Sequence, residues 1–473
     1  MFSKMKKTDF EISAGASRRG DASSESRVNS LLHPNRFAAV LAAFAIGMAG
    51  IFAPESAAAE APAFKFQFGS GHAAPGYTPV TPDMAYSKAR GFGFEPGATV
   101  TAPDRGGFIT SDQSFFFSVA VPEEGNFRVT VALGDPAGES TTTIKAELRR
   151  LMVEQFHTAA GQTGTVSFIV NTRTPKIPAI RDLKAGEVKL KAPRETTQEA
   201  WGWDNLLTLE FNGARPCVRT VEIVRVDVPT IFLMGDSTVC DQSREPYNSW
   251  GQMLTRFFKP EVAVANHGES GETYRDSIGR RRLDKILSVM KPGDFLIMQF
   301  GHNDQKQIAA GTGGPFTTYK AEIKQHVDAV RKLGGIPVIV SPMERRGFDE
   351  NGKIKPSLIE YADASRQAAQ ELGVAFIDLN AMSKLFYEAL GPEKSMLAFA
   401  PTGPDKVDNT HHRPYGSYEL AKCIVQGIRD DKLAIASYIV DDFRGFDPAH
   451  PDPVEKFDVP PSPQFTNLRP LGD

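Results

Sequence analysis

The grammar of the chain changes at Val228-Pro229, and a single fold class does not accommodate both sides of that point. Upstream, from Phe64 to about Val226, short runs such as "FKFQFGSG", "FFFSVAVP", "FRVTVALG", "GTVSFIV" and "LLTLEFNG" alternate apolar with polar residues and are cut by Gly, Pro, Asp and Asn. Only a doubtful stretch near Lys145 to Gln155 carries a helical period. Many short strands joined by frequent turns predict an antiparallel β-sandwich over residues 60–228. Downstream, the apolar runs "TIFLMG", "VAVANH", "DFLIMQFG", "IPVIVSPM" and "VAFIDLN" alternate with amphipathic stretches near Trp250 to Phe258, Tyr274 to Met290, Tyr319 to Leu333, Pro356 to Leu372 and Tyr415 to Tyr438. That alternation predicts an α/β domain over residues 229–440, with a parallel sheet covered on both faces. Residues 441–473 are proline-rich and read as an extended tail.

The first 59 residues stand apart. A polar leader with several basic residues runs into the uncharged "FAAVLAAFAIGMAGIF", from Phe37 to Phe52, and then into Ala57-Ala58-Ala59. The apolar run is short for a membrane span and is followed by the small residues a signal peptidase needs, so it reads as an export signal cleaved near Ala59. A retained anchor is the alternative. The mature protein is expected to be periplasmic or extracellular, without stable membrane insertion. With 41% hydrophobic residues, 23% charged residues and a net charge of −3, the rest has the composition of an ordinary globular protein. No basic stretch pairs with regularly placed aromatics, which argues against a nucleic-acid partner. Cys217, Cys240 and Cys423 are too few and too scattered for a disulfide framework or a zinc site. Cys240, close to Ser237, reads as a packed side chain.

Ligands of open α/β sheets bind beyond the carboxyl ends of the strands, so polar residues at strand ends are the candidates for chemistry. "IFLMGDST" ends its apolar run in Asp236, Ser237 and Thr238, which makes Ser237 a candidate nucleophile, the plain alternative being a helix cap. "VAVANH" runs into "GESGETYRD", where Gly271, or less plausibly Gly268, can offer an N–H to a substrate oxygen. "DFLIMQF" ends in "GHNDQ", placing the Asn303 carboxamide at the same edge. In "DNTHHRPYGSYELAKC", Asp408 and His411 stand one turn apart, so the carboxylate can hold the imidazole. Ester hydrolysis needs an activated hydroxyl, a base in the right tautomer and donors aimed at the oxyanion. Ser237, His411 and Asp408 fit the first two needs, and the N–H groups of Ser237 and Gly271 with the Asn303 amide fit the third. The order Ser, Asp, His occurs without any G-x-S-x-G elbow, which counts against an ordinary α/β-hydrolase. His302, Asp304 and His412 read mainly as packing or solvated residues, although His302 could also meet substrate, while His267 and Trp250 either line the cleft or belong to the core.

"GDST", the Gly271 loop, "GHND" and "DNTH" resemble the four blocks of the SGNH (GDSL-like) hydrolases, and in detail the rhamnogalacturonan acetylesterase family. The likeness covers about residues 230–438. It implies a three-layer α/β/α sandwich with Ser237, Asp408 and His411 as triad, Gly271 and Asn303 as oxyanion donors, and no metal or cofactor. The upstream region resembles, more weakly, a galactose-binding-like sandwich. The resemblance implies a serine esterase that removes acetyl groups from a plant cell-wall polysaccharide. A lipase or thioesterase of the same superfamily and a non-catalytic carbohydrate-binding protein are the alternatives. Arg275, near the Gly271 loop, is the candidate for pairing with galacturonate carboxylates, while Arg280, Arg281 and Arg282 read as a solvated helix face. The loop from Ala309 to Phe316 could cover the site. The sequence leaves the oligomeric state open.

Overall fold

A computed structural model describes residues 64–97, 99–104 and 107–463; the expected export signal lies outside these residues. The first part forms two facing sheets. One has the order Thr78–Val80, Phe64–Phe68, Cys217–Arg225, Gly125–Leu133, Gly164–Thr172, and the other the order Phe92–Phe94, Phe115–Ala120, Leu206–Asn212, Ser140–Ala146, Arg150–Thr158. Alternation sets the faces. In Gly125–Leu133, residues Phe127, Val129, Val131 and Leu133 point into the core while Arg128, Thr130 and Ala132 point away. Aromatic rings fill the space between the sheets, with Phe117 packed edge-on against Phe66 and Phe68. The stretch near Lys145 to Gln155 is a hairpin, not a helix: Glu147 and Arg149 take positive φ, which breaks any helical run and turns one strand into the next.

The second part is built on five parallel strands in the order Ala263–Asn266, Thr230–Gly235, Phe295–Gln299, Ile336–Val340, Ala375–Ile377. Both faces are apolar. Ile231 and Leu233 join one cluster with Trp250, Phe386 and Ile424, and Phe232 and Met234 join another with Tyr274, Leu283, Ile323 and Ala364. Helices Trp250–Leu254, Leu379–Lys394 and Pro414–Asp430 therefore cover one face, and Tyr274–Gly279, Arg282–Val289, Lys320–Lys332 and Ile359–Leu372 the other, giving a three-layer α/β/α sandwich. Three helices depart from expectation. The one expected from Tyr274 to Met290 breaks at Arg281, which takes a left-handed conformation with φ 64°. The last helix ends at Asp430 and is followed by a 3-10 turn over Ala434–Tyr438. Leu379–Lys394, capped by Asp378 and kinked at Gly391-Pro392, was not expected at all.

The two parts share a core. The hairpin of the sandwich places Leu151 among the apolar residues of the α/β sheet, and Arg150, fully buried, bonds Asp241 at 2.8 Å and the Asn171 carbonyl at 2.9 Å. Arg149 donates to the carbonyls of Gln242 and Tyr247, and Gln252 donates to that of Leu148. The described part of the tail is pinned down. Asp452 receives Lys422 and Tyr415, and Ser462 bonds Lys145 and Glu210 of the sandwich.

Candidate active site

Ser237 lies two residues beyond the Thr230–Gly235 strand, where the chain turns sharply enough for the Asp236 carbonyl to accept the N–H groups of Val239 and Cys240. The turn needs Gly235, because a Cβ there would stand 2.5 Å from the Gln299 carbonyl oxygen and 2.3 Å from the Val239 side chain. Asp236 braces the turn from inside. Its carboxylate is fully buried, accepts the Thr238 N–H and hydroxyl, and faces His302 Nδ1 at 3.3 Å. Burial alone would raise its pKa, but His302 and the Thr238 donors hold it below the usual carboxylate value.

The Ser237 hydroxyl is 2.8 Å from His411 Nε2, and His411 Nδ1 is 2.9 Å from Asp408 Oδ2. Asp408 and His411 sit at the end of a strand, Lys406–His412, and not on a helical turn. Asp408 Oδ1 closes a local loop by accepting the backbone N–H groups of Thr410 at 2.7 Å and His411 at 3.0 Å. Burial works against the ionised carboxyl, yet the His411 imidazole and these N–H donors keep it well below its normal range. An ionised Asp408 accepts a hydrogen bond from His411 Nδ1–H and so keeps the proton on that nitrogen, which leaves Nε2 as the acceptor for the Ser237 hydroxyl.

Around this chain of hydrogen bonds lies a cavity of about 410 Å³, lined also by Gly271, Asn303, Gln242 and Tyr247. Gly271 has φ 73°, a conformation that suits glycine. The alternative, Gly268, uses its N–H on Asn266 Oδ1 and packs against Cys240, outside the cavity. Asn303 donates one amide hydrogen to the Glu272 carbonyl at 3.1 Å and accepts from Lys306 at 2.8 Å, which orients the carboxamide and leaves a second N–H. The lining contains no aliphatic side chain. A larger cavity of about 500 Å³, lined by Arg173, His267 and Lys285 among others, lies where the sandwich meets the α/β sheet and holds none of Ser237, Asp408 or His411.

Several expectations need correction. Arg275 does not reach the cavity, because Glu322 and the Thr312 carbonyl hold its guanidinium elsewhere. His302 is buried and turned toward Asp236, so it supports the Ser237 turn from behind and does not line the cavity. The arginines after the Gly271 loop are not a solvated face: Arg282 is 1% exposed and bonds Glu195, Arg280 pairs with Glu272, and Arg281 with Asp284. Trp250 is a core residue that donates to Gln299, and His412 is packed on Phe399 and bonded to Tyr387. The Ala309 to Phe316 loop supplies no lining residue. Burial pushes the Cys240 thiol well up, in keeping with a packed side chain. Two cations of the lining, Arg194 and Lys306, were not anticipated. Arg194 follows the Gly186–Glu187 strand, in a region that reads as sandwich, and only the folded chain shows where it goes. Among the described residues no cluster of His, Cys, Asp or Glu is placed to hold a metal ion, and no helix is long and apolar enough to cross a membrane.

Comparison with known proteins agrees with this architecture. Residues 233–403 match the GDSL-like lipase/acylhydrolase family, and residues 64–164 match a beta-agarase/YXIM esterase-like, galactose-binding domain-like family. The rhamnogalacturonan acetylesterase RhgT of Bacillus subtilis (strain 168) is 40% identical over 220 residues, 44% of this chain and 94% of that protein. The probable rhamnogalacturonan acetylesterase YesY of the same organism is 33% identical over 44% of this chain and 97% of its own length. The uncharacterized esterase YxiM, also from that organism, is 27% identical over 80% of this chain and 93% of its own length. This chain belongs to the GDSL-like (SGNH) hydrolase family and is an esterase with a galactose-binding-like domain ahead of its α/β domain.

Proposed function

We propose that the protein removes acetyl groups from an acetylated plant cell-wall polysaccharide, rhamnogalacturonan foremost, by a Ser237–His411–Asp408 mechanism, and that it acts after export. The observation that carries the mechanism is the unbroken pair of hydrogen bonds, 2.8 Å and 2.9 Å, from the Ser237 hydroxyl through His411 to Asp408 at the wall of an open cavity. Ser237 Oγ attacks the acetyl carbonyl as His411 Nε2 takes its proton. The carbonyl oxygen becomes an oxyanion within reach of the N–H groups of Ser237 and Gly271 and the spare Asn303 amide hydrogen. Collapse expels the sugar alkoxide, which receives the proton from His411, and leaves acetyl on Ser237. Water, deprotonated by the same imidazole, attacks the acetyl group, and collapse expels the Ser237 oxygen, which takes the proton back from His411, and releases acetic acid, which ionises to acetate. Asp408 stays ionised throughout and stabilises the imidazolium.

Two things support the substrate. Of the related proteins named above, RhgT is named a rhamnogalacturonan acetylesterase and YesY a probable one, and a polar lining without aliphatic side chains suits a small acyl group on a hydroxylated polymer better than a long acyl chain. The test is acetate release from acetylated rhamnogalacturonan, acetylxylan and a long-chain ester by the wild type and by Ser237→Ala and His411→Ala. Fast release from the first, with a loss of several orders of magnitude in both variants at unchanged melting temperature, is expected. Full activity in either variant would overturn the mechanism, and a preference for the long-chain ester would overturn the substrate. N-terminal sequencing of secreted protein beginning near residue 60 tests the export reading.

A further inference from the structure

We propose that Arg194, delivered into the active-site cavity by the sandwich domain, is the residue that recognises a uronate carboxylate of the polysaccharide next to the acetylated sugar. The inference rests on the acetylesterase reading above and names the charge of the substrate at that site.

The segment from Lys191 to Trp203 leaves the sandwich, crosses to the α/β domain and lies against the Gly271 loop. Lys191 Nζ bonds the Ser270 carbonyl at 2.6 Å and pairs with Glu272 at 2.8 Å, and Arg282 anchors the same segment through Glu195. Arg194 sits between these anchors. Its Nε bonds Glu199 at 2.8 Å and its Nη2 bonds the Ser270 hydroxyl at 2.7 Å, while Nη1 has no partner among the described residues. The side chain is 39% exposed and lines the same cavity as Ser237 and His411. A guanidinium held on one edge and open on the other is preorganised for a carboxylate, which it meets with charge-assisted bonds. Lys306, bonded to Asn303, is a second cation lining the cavity.

Arg194 belongs to a network of ion pairs. Glu195, Glu199, Glu269 and Glu272 stand against Lys191, Arg194, Arg280 and Arg282. Burial, helped by Glu199 and Glu195, pushes the Glu269 carboxyl up to about 9, so Glu269 is a weaker partner for Arg194 than its 3.6 Å separation suggests. Arg194 is the member of this cluster that lines the cavity. A neutral polymer gains nothing from this arrangement.

The experiment compares kcat/KM on acetylated rhamnogalacturonan and on neutral acetylxylan for the wild type, Arg194→Gln and Arg194→Lys, with inhibition by galacturonate oligomers as a second readout. In Arg194→Gln the ratio of the two kcat/KM values is expected to fall about 10- to 30-fold, mainly through KM on the acidic polymer, and the oligomers should inhibit correspondingly less. Arg194→Lys should recover part of the ratio, and added salt should shrink the wild-type ratio toward that of the variant. An equal loss on both polymers would make Arg194 a brace for the Ser270-Gly271 loop and overturn the inference. A wild type that deacetylates xylan but not the acidic polymer would overturn the substrate reading itself, a result visible before any variant is made.

Discussion

Replacing Asp408 by Asn isolates the electrostatic and tautomeric role of this carboxylate from its structural one. Asp408 does two jobs with two oxygens: Oδ1 accepts the N–H groups of Thr410 and His411, and Oδ2 accepts the His411 Nδ1 proton. In Asp408→Asn the amide oxygen can keep the first job, so the local loop survives and the melting temperature should change little. The second job fails. An amide nitrogen facing His411 Nδ1 is a donor, which favours the tautomer with its proton on Nε2, and that nitrogen can then no longer accept from Ser237 Oγ. The imidazolium formed during the reaction also loses its counter-ion. A change of this kind in a Ser-His-Asp triad lowers kcat by about 10⁴, roughly 5.5 kcal/mol of transition-state stabilisation. Because Asp408 is partly open to solvent here, a loss of about 10³ to 10⁴ is expected. Initial rates of p-nitrophenyl acetate hydrolysis and thermal melts on the same preparations provide the check. Asp408→Ala gives the contrast, since it removes the acceptor for both backbone N–H groups and should lower the melting temperature as well as the rate. An Asn variant within tenfold of wild type would refute the assignment of Asp408 as the orienting carboxylate.

Asn303→Ala should reduce turnover by about 10² to 10³ if its amide meets the oxyanion, with unchanged turnover in saturating substrate as the contrary result. Glu269, whose carboxyl is raised to about 9 first by burial and then by Glu199 and Glu195, holds a proton in the folded protein that the unfolded chain has already released at neutral pH. The folded state then binds more protons than the unfolded state between the ordinary glutamate value and about 9, so its contribution to stability falls as pH rises through that window. Glu269→Gln should remove this slope, and melts at pH 5 and pH 8.5 should show the variant gaining on the wild type at the higher pH; a gap independent of pH would be inconsistent with a protonated Glu269. Arg150→Ala removes the nearest cation from buried Asp241, leaving it Arg173 at 3.9 Å and the Asn266 amide, and should cost about 3 kcal/mol in chemical denaturation, a penalty that a loss below 1 kcal/mol would contradict.

The residues whose placement depends on local chain geometry were legible in the sequence. Ser237 could be found because a strand ending in Gly-Asp-Ser presents its hydroxyl at the sheet edge, and Asp408 with His411 because a separation of three allows contact in several backbone conformations, here a strand end and not the helical turn expected. Residues set by distant packing were not legible. Arg282 looks like a surface residue until Glu195, far upstream, is brought beneath it. Arg275 lies close to the Gly271 loop in sequence, but the first turn of its helix directs it to Glu322 and away from the cavity. Arg194 occupies the place expected for Arg275, and nothing in a β-rich region marks one arginine as destined for a neighbouring domain. Helix Leu379–Lys394, kinked near its end at Gly391-Pro392, was not among the expected helices.

The Arg149-Arg150 hairpin has a consequence for the order in which the protein can mature. The sandwich is synthesised first, yet the partners that neutralise and cover its two buried arginines, Asp241, Glu245 and the carbonyls of Gln242 and Tyr247, come later in the chain. Until those residues emerge, the early half carries two guanidinium groups and Leu151 that face water where the finished protein has interior. The N-terminal half can thus collapse around its phenylalanines but acquires its final surface only when the segment just beyond Ser237 has been made, so completion of the sandwich is tied to the same stretch of chain that follows the Ser237 turn.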